Sequence, residues 1–247
     1  MSAEILAAVI AIAFLAAACE SLTAFGFALV MVPLLSLAWE VKPAVVTSTL
    51  LGTLLLMPLL YEVRGHVRVG WVAPLLVGSF AGIPAGVLVL DRIDATALEI
   101  VVACVVIVAG LLVYLSPRLS LERPIAPLSL IVGAMSGALR AATSMGGPPA
   151  VLYVLTFERE VEPFRATLLA LFVPSSLLTI AGLAIAGRIN GDILLAVAVG
   201  LPALVLGAVA GRWLRAKASQ AAFRLVVLAL LFVSSGAVLA SASGAFG

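Results

Sequence analysis

Charge is what this 247-residue chain has least of. It carries 14 Lys and Arg and 12 Asp and Glu, 11% of the residues together, where an ordinary soluble domain has about a quarter. With 64% hydrophobic residues and a mean hydropathy of +1.29, a water-soluble globule is excluded, because its surface would need far more charge. The net charge of +2 is small and the basic residues are scattered, which argues against nucleic acid as a partner. One histidine, His66, and two cysteines, Cys19 and Cys104, leave neither a metal set nor a disulfide framework. Both cysteines lie in apolar runs and read as small buried hydrophobes. His66 sits in the basic loop Arg64-Gly65-His66-Val67-Arg68 and reads as a solvated loop residue. No phosphate-cradling G-x-x-x-x-G-K-[ST] segment is present, so nucleotide coupling within this chain is not expected, and no cofactor is called for.

What the chain does have is long uncharged apolar runs: 5–19, 21–39, 43–61, 69–90, 100–117, 124–139, 141–157, 166–187, 193–211 and 225–247. Crossing a hydrocarbon core of about 30 Å takes about 20 helical residues. Six runs (43–61, 69–90, 100–117, 166–187, 193–211 and 225–247) meet that length and predict transmembrane helices. The other four form two pairs, 5–39 and 124–157, each interrupted by one charge, Glu20 or Arg140. The start Met-Ser-Ala-Glu has no basic residue, so 5–19 reads as a membrane segment and not as a cleaved signal. The expected fold class is therefore an all-α integral membrane protein embedded in a lipid bilayer.

Sliding the chain on itself by 120 places Glu20 on Arg140, Thr23 on Thr143, Gly26 on Gly146, Pro43 on Pro163 and Thr47 on Thr167. The segment order repeats too: broken pair, three spans, broken pair, three spans. Two homologous halves follow, 1–120 and 121–247. Loop charges orient them. If each broken pair were one span, the basic residues would divide eight against five, which decides nothing. If each pair returns to the face it came from, Lys42, Arg92 and Arg188 lie on one side. Arg64, Arg68, Arg118, Arg123, Arg159, Arg165, Arg212, Arg215, Lys217 and Arg224 lie on the other. Three against ten is a positive-inside asymmetry. It predicts both termini outside and a second half inverted relative to the first. Two full crossings would also return the chain to its starting face, but the 15 and 16 residues before Glu20 and Arg140 favour a re-entrant hairpin.

Non-helical backbone at membrane depth survives only against protein or a water-filled cavity. The breaks, 20–27 and 140–149, therefore face inward. Ser and Thr are N-cap residues and Pro suits a first helical turn, so each break reads as the start of a new helix. Helix starts offer free amide hydrogens and partial positive charge, which suit an anion. Two of them meeting near the midplane are the binding plan of many secondary transporters. Arg140 carries the same sign: a guanidinium costs about 2.5–3.5 kcal/mol at a membrane helix centre and its fork fits oxyanions. Candidate substrate-binding residues are Arg140, Thr143, Ser144, Gly146, Gly147, Thr23, Gly26, Thr47 and Thr167, with Ser48 beside Thr47. The glycines let a ligand approach the backbone or serve helix packing. The hydroxyls of Thr47, Ser48 and Thr167 line a cavity or bond back to their own helices. Arg140 either holds cargo or pairs with Glu20, and Glu20 is a coupling group or that ion-pair partner.

These residues also carry a resemblance. Gly26-Phe27 followed by Pro33, then Ala44-Val45-Val46-Thr47-Ser48, Gly146-Gly147-Pro148-Pro149 and Phe164-Arg165-Ala166-Thr167 resemble the TauE/SafE family. It is also called the sulfite exporter or toluene-sulfonate uptake permease family, and the likeness spans essentially the whole chain. The resemblance implies a bacterial inner-membrane permease for sulfite or small organosulfonates, built by duplication. The expected function is alternating-access transport of such an anion; an anion channel using the same hairpins as a constriction is the alternative. An intramembrane serine hydrolase is not expected, because no general base lies near Ser144 in the sequence. A homo-oligomer is compatible with the sequence.

Overall fold

A computed structural model of the chain describes residues 1–23, 26–115, 121–158 and 160–215; within its helices the side chains at 22–23, 106, 109–115 and 215 lie outside the description. The expected helix 225–247, with Arg118, Arg159, Lys217 and Arg224 from the charge tally, also falls outside the described residues. Among those described, every regular element is helical. The order is α1 (Ala3–Thr23), α2 (Phe27–Leu35), α3 (Val41–Val63), α4 (Val69–Arg92), α5 (Ala95–Leu115), α6 (Ala126–Thr143), α7 (Gly147–Val154), α8 (Val161–Ile185) and α9 (Gly191–Arg215). One 3-10 turn, Arg64–His66, joins α3 to α4 and leaves His66 exposed.

Among the described residues, six helices are long and apolar enough to cross a membrane: α1, α3, α4, α6, α8 and α9. That makes the chain a multi-pass membrane protein. The sequence reading needs correcting at the two charges. Neither Glu20 nor Arg140 ends its helix; α1 runs on to Thr23 and α6 to Thr143, giving 21 and 18 residues. One charged side chain directed inward costs the helix backbone nothing, so the break comes only where backbone geometry changes. In α6 that happens at Ser144, whose left-handed φ of 65° turns the chain while its amide bonds back to the Arg140 carbonyl at 2.7 Å.

The second correction concerns capping. The N-cap of α2 is Gly26 and that of α7 is Gly146, neither with a side chain to cap with, so Ser and Thr are not the N-caps. Pro148 and Pro149 start α7, where their missing N–H groups cost nothing. α2 and α7 have 9 and 8 residues, too short to cross.

Helix bounds recur down the chain. A shift of 120 carries α2 (27–35) onto 147–155, where α7 runs 147–154, and carries α3 (41–63) onto 161–183, where α8 runs 161–185. Packing follows the same exchange: α4 lies along α6 and α1 along α9. Glycine makes both seams close. A Cβ on Gly82 would stand 2.1 Å from the Ala134 carbonyl oxygen, and one on Gly207 would stand 2.2 Å from that of Phe14.

Polar contacts gather at the two ends of the bundle. At one end the Met1 ammonium meets Asp192 at 3.5 Å, Lys42 donates to the Asp91 carbonyl at 3.3 Å, and Arg188 pairs with Asp91. At the other, Arg68 pairs with Glu158, Arg212 pairs with Glu62, and the Leu121 amide donates to the Thr156 carbonyl at 2.7 Å. The chain thus enters α1 and α3 at one end, and enters α6 and α8 at the opposite end.

Candidate functional site

The two breaks meet at one cavity. Its wall includes Glu20, Gly26, Ser48, Arg140, Ser144 and Gly147. α3 adds Thr49, Gly52 and Thr53, and α8 adds Phe172 and Ser176. Gly52 and Phe172 lie near the middles of their 23- and 25-residue helices, so the cavity sits about halfway along the bundle.

Arg140 is the cationic feature of that wall, and it is 7% exposed. Nη1 donates to the Ser176 hydroxyl at 3.0 Å, and the guanidinium lies over the Phe172 ring at 4.2 Å. Its Nε has no hydrogen-bond partner. A cation so enclosed, with a donor left over, is suited to a ligand that brings acceptor oxygens.

Glu20, the residue at the matching position in the first half, does something different. Its Oε2 accepts from the backbone N–H groups of Gly26 and Phe27, both at 2.6 Å. The carboxylate of α1 therefore seals the start of α2. No ion pair within 4 Å joins Glu20 to Arg140, so the salt bridge considered from the sequence is not made. The expectation of two free helix starts is corrected as well: the first is already filled by the chain's own anion.

The remaining candidates divide. Ser144 lines the cavity and donates to the Ser48 hydroxyl at 3.3 Å. Gly147 lines it as well, while Gly146 packs on α6, where a Cβ would stand 2.6 Å from the Ser136 carbonyl oxygen. Thr143 is turned into the break: its hydroxyl donates to the Leu139 carbonyl at 2.7 Å and accepts from the Met145 amide at 3.2 Å. Thr47 and Thr167 are buried off the cavity wall with hydroxyls unpartnered. The Thr23 side chain lies outside the described residues. Cys19 is buried as expected, whereas Cys104 is exposed on α5.

Sequence reasoning missed Thr49, Thr53, Phe172 and Ser176. Their signal is spacing: Thr49 with Thr53, Ser48 with Gly52, and Phe172 with Ser176 each recur at i, i+4, one face of a helix. Thr53 donates to the Thr49 carbonyl and Thr49 to that of Val45, so both hydroxyls satisfy their donor locally and keep acceptor capacity.

The sulfite exporter TauE/SafE family model matches residues 9–238. The chain belongs to the sulfite exporter TauE/SafE family. The family is one of membrane transporters, which places the chain among them. No curated protein and no solved structure matches the chain.

Proposed function

We propose that this TauE/SafE member is a secondary transporter of the bacterial inner membrane that carries sulfite or a small organosulfonate by alternating access. The observation that carries the reading is Arg140: a buried guanidinium with an unpartnered Nε, on the wall of a cavity bounded by two broken helices. Sulfite and sulfonates offer two or three oxygens to the guanidinium fork. The hydroxyls of Ser48, Ser144 and Ser176 and the start of α7 at Gly147 complete a polar wall for the headgroup. Phe27, Leu29, Leu56 and Met145 add apolar surface to the same lining, suited to a short organic tail.

The halves 1–120 and 121–247 are read as inverted repeats, each a broken re-entrant pair followed by three spans. The shared helix bounds, the exchanged packing of α4 on α6 and α1 on α9, and the opposite ends at which α1 and α6 begin support this. With the basic end of the bundle inside the cell, both termini lie outside. Rocking of the repeats about the central cavity then exposes the anion to one side and the other in turn.

The test is uptake in proteoliposomes across a panel of sulfite, sulfoacetate, taurine and sulfate, for the parent and for Arg140→Ala. Hydrogen bonds to a charged group are worth about 1.5–3 kcal/mol, so the variant should bind its anion about 10- to 150-fold more weakly while staying folded. Equal uptake by both proteins removes Arg140 from the site, and ion currents far above carrier turnover would make the protein a channel.

A further inference from the structure

This inference concerns what travels with the anion, and it rests on the anion site just proposed. Glu20 is 3% exposed, lines the cavity with Arg140, and holds the Gly26 and Phe27 amides through Oε2 alone. The charged groups acting on it are Arg140 from α6 and Arg165 from α8, and the Cys19 thiol precedes it on α1. Arg165 is already engaged by Glu162 at 3.4 Å. Of the helices packed on α1, α2 carries no charged residue, and Arg212 of α9 pairs with Glu62 of α3. Lys42 of α3 and Asp192 of α9 are occupied at the bundle end, by the Asp91 carbonyl and the Met1 ammonium.

With Glu20 ionised, the cavity wall is balanced: one carboxylate, one guanidinium. A monovalent anion arriving at Arg140 leaves a net negative charge in a buried space, where an uncompensated charge is costly. We propose that Glu20 is the coupling site of the transporter: it takes up one proton when the anion binds, and anion and proton cross together. The proton comes from water on the side to which the cavity is open and forms an O–H bond on Oε1. Oε2 keeps both amide hydrogens as a neutral acceptor, no other bond changes, and α2 stays capped. The linkage is reciprocal, so acid tightens anion binding by the same factor by which the anion tightens proton binding.

The experiment is titration calorimetry of the purified full chain with methanesulfonate, whose charge is fixed, and with sulfite. Repeating it in buffers of different ionisation enthalpy counts the protons exchanged. Close to one proton taken up per methanesulfonate is expected, with affinity rising up to about tenfold per pH unit of acidification while Glu20 is ionised in the free protein. Glu20→Gln should bind without proton uptake and without that pH dependence. Because the variant also alters a helix cap, infrared difference spectra of the parent give a second readout: anion addition should produce a protonated-carboxyl band. Binding by the parent with no proton exchanged and no such band overturns the coupling role and leaves the anion site standing, as does undiminished proton uptake in a folded Glu20→Gln. Failure of the folded parent to bind either anion overturns the anion site, and the coupling role with it.

Discussion

Arg68 and Arg188 lie 120 residues apart in the sequence, and each forms an ion pair with a residue about 90 or more positions away. Arg68 reaches Glu158 at 3.5 Å, and Arg188 Nε donates to Asp91 at 2.8 Å. Arg68 precedes α4 and Asp91 lies at its far end, so about 36 Å of helix separates the two contacts. Under the rocking motion proposed above, each is a bond broken at one end of the bundle while the other is spared.

Arg188–Asp91 is exposed, and Arg68–Glu158 is open to solvent on the arginine side; pairs reached by solvent are worth about 0–1 kcal/mol, enough to shift a two-state population by up to about fivefold. Arg188→Gln should raise the accessibility of the cavity from its own end, and Arg68→Gln from the opposite end. Maleimide labelling of Thr53→Cys, in a Cys19→Ala, Cys104→Ala background, reads this out in sided membranes. Shifts of the same sign in both variants would count against alternating exposure.

Glu158 gives a pH prediction. It lies between α7 and α8, and burial holds its carboxyl above the usual carboxylate range, with Arg68 opposing the shift and Glu160 adding to it. The folded protein therefore binds that proton more tightly than the unfolded chain. Stability from this group is fully present below the ordinary glutamate value and is lost as pH rises through the folded one. Thermal unfolding in detergent should show that decline with rising pH in the parent, and Glu158→Gln should flatten it.

The seam between α4 and α6 predicts a contrast between glycines. A methyl on Gly82 meets backbone at 2.1 Å, whereas one on Gly70 meets nothing within 4 Å. Gly82→Ala should destabilise the fold by about 1–3 kcal/mol through overpacking. Gly70→Ala should be near neutral or slightly stabilising, since alanine is the better helix former. Chemical denaturation of both variants checks the difference.

Much of this arrangement was legible in the sequence because low charge fixes the solvent and segment order is preserved under the shift. The spans at 43–61, 69–90, 166–187 and 193–211 fall within or close to the ends of α3, α4, α8 and α9. The second break falls inside its predicted window, at 144–146, and in the first window α1 is described to Thr23 and α2 from Phe27. What stayed hidden depends on side-chain direction. Glu20 and Arg140 look alike as lone charges in apolar runs, yet one folds forward to cap the next helix and the other crosses to α8. Ser176 and Phe172 share a helix face at i, i+4, but that this face meets the cavity is set by how α8 packs. Thr143 looked like a ligand because hydroxyls serve turns and substrates equally well; here the turn takes it.

Ser144 separates backbone strain from binding. Its left-handed φ of 65° costs a non-glycine residue about 1–2 kcal/mol. Ser144→Gly should keep or slightly raise the melting temperature while weakening anion affinity, because the hydroxyl shared with Ser48 is lost from the wall. A drop in melting temperature with unchanged affinity would assign the hydroxyl to folding alone.

The central claim, that the anion sits beside Arg140 between the two breaks, is tested most directly by locating a heavy-atom analogue. Crystals grown with 2-bromoethanesulfonate should give a bromine anomalous peak inside the cavity, with the sulfonate density against the Arg140 guanidinium and the Ser176 hydroxyl. The peak should vanish in Arg140→Ala. A peak outside the cavity, or one in the cavity that persists unchanged in the variant, would contradict the claim.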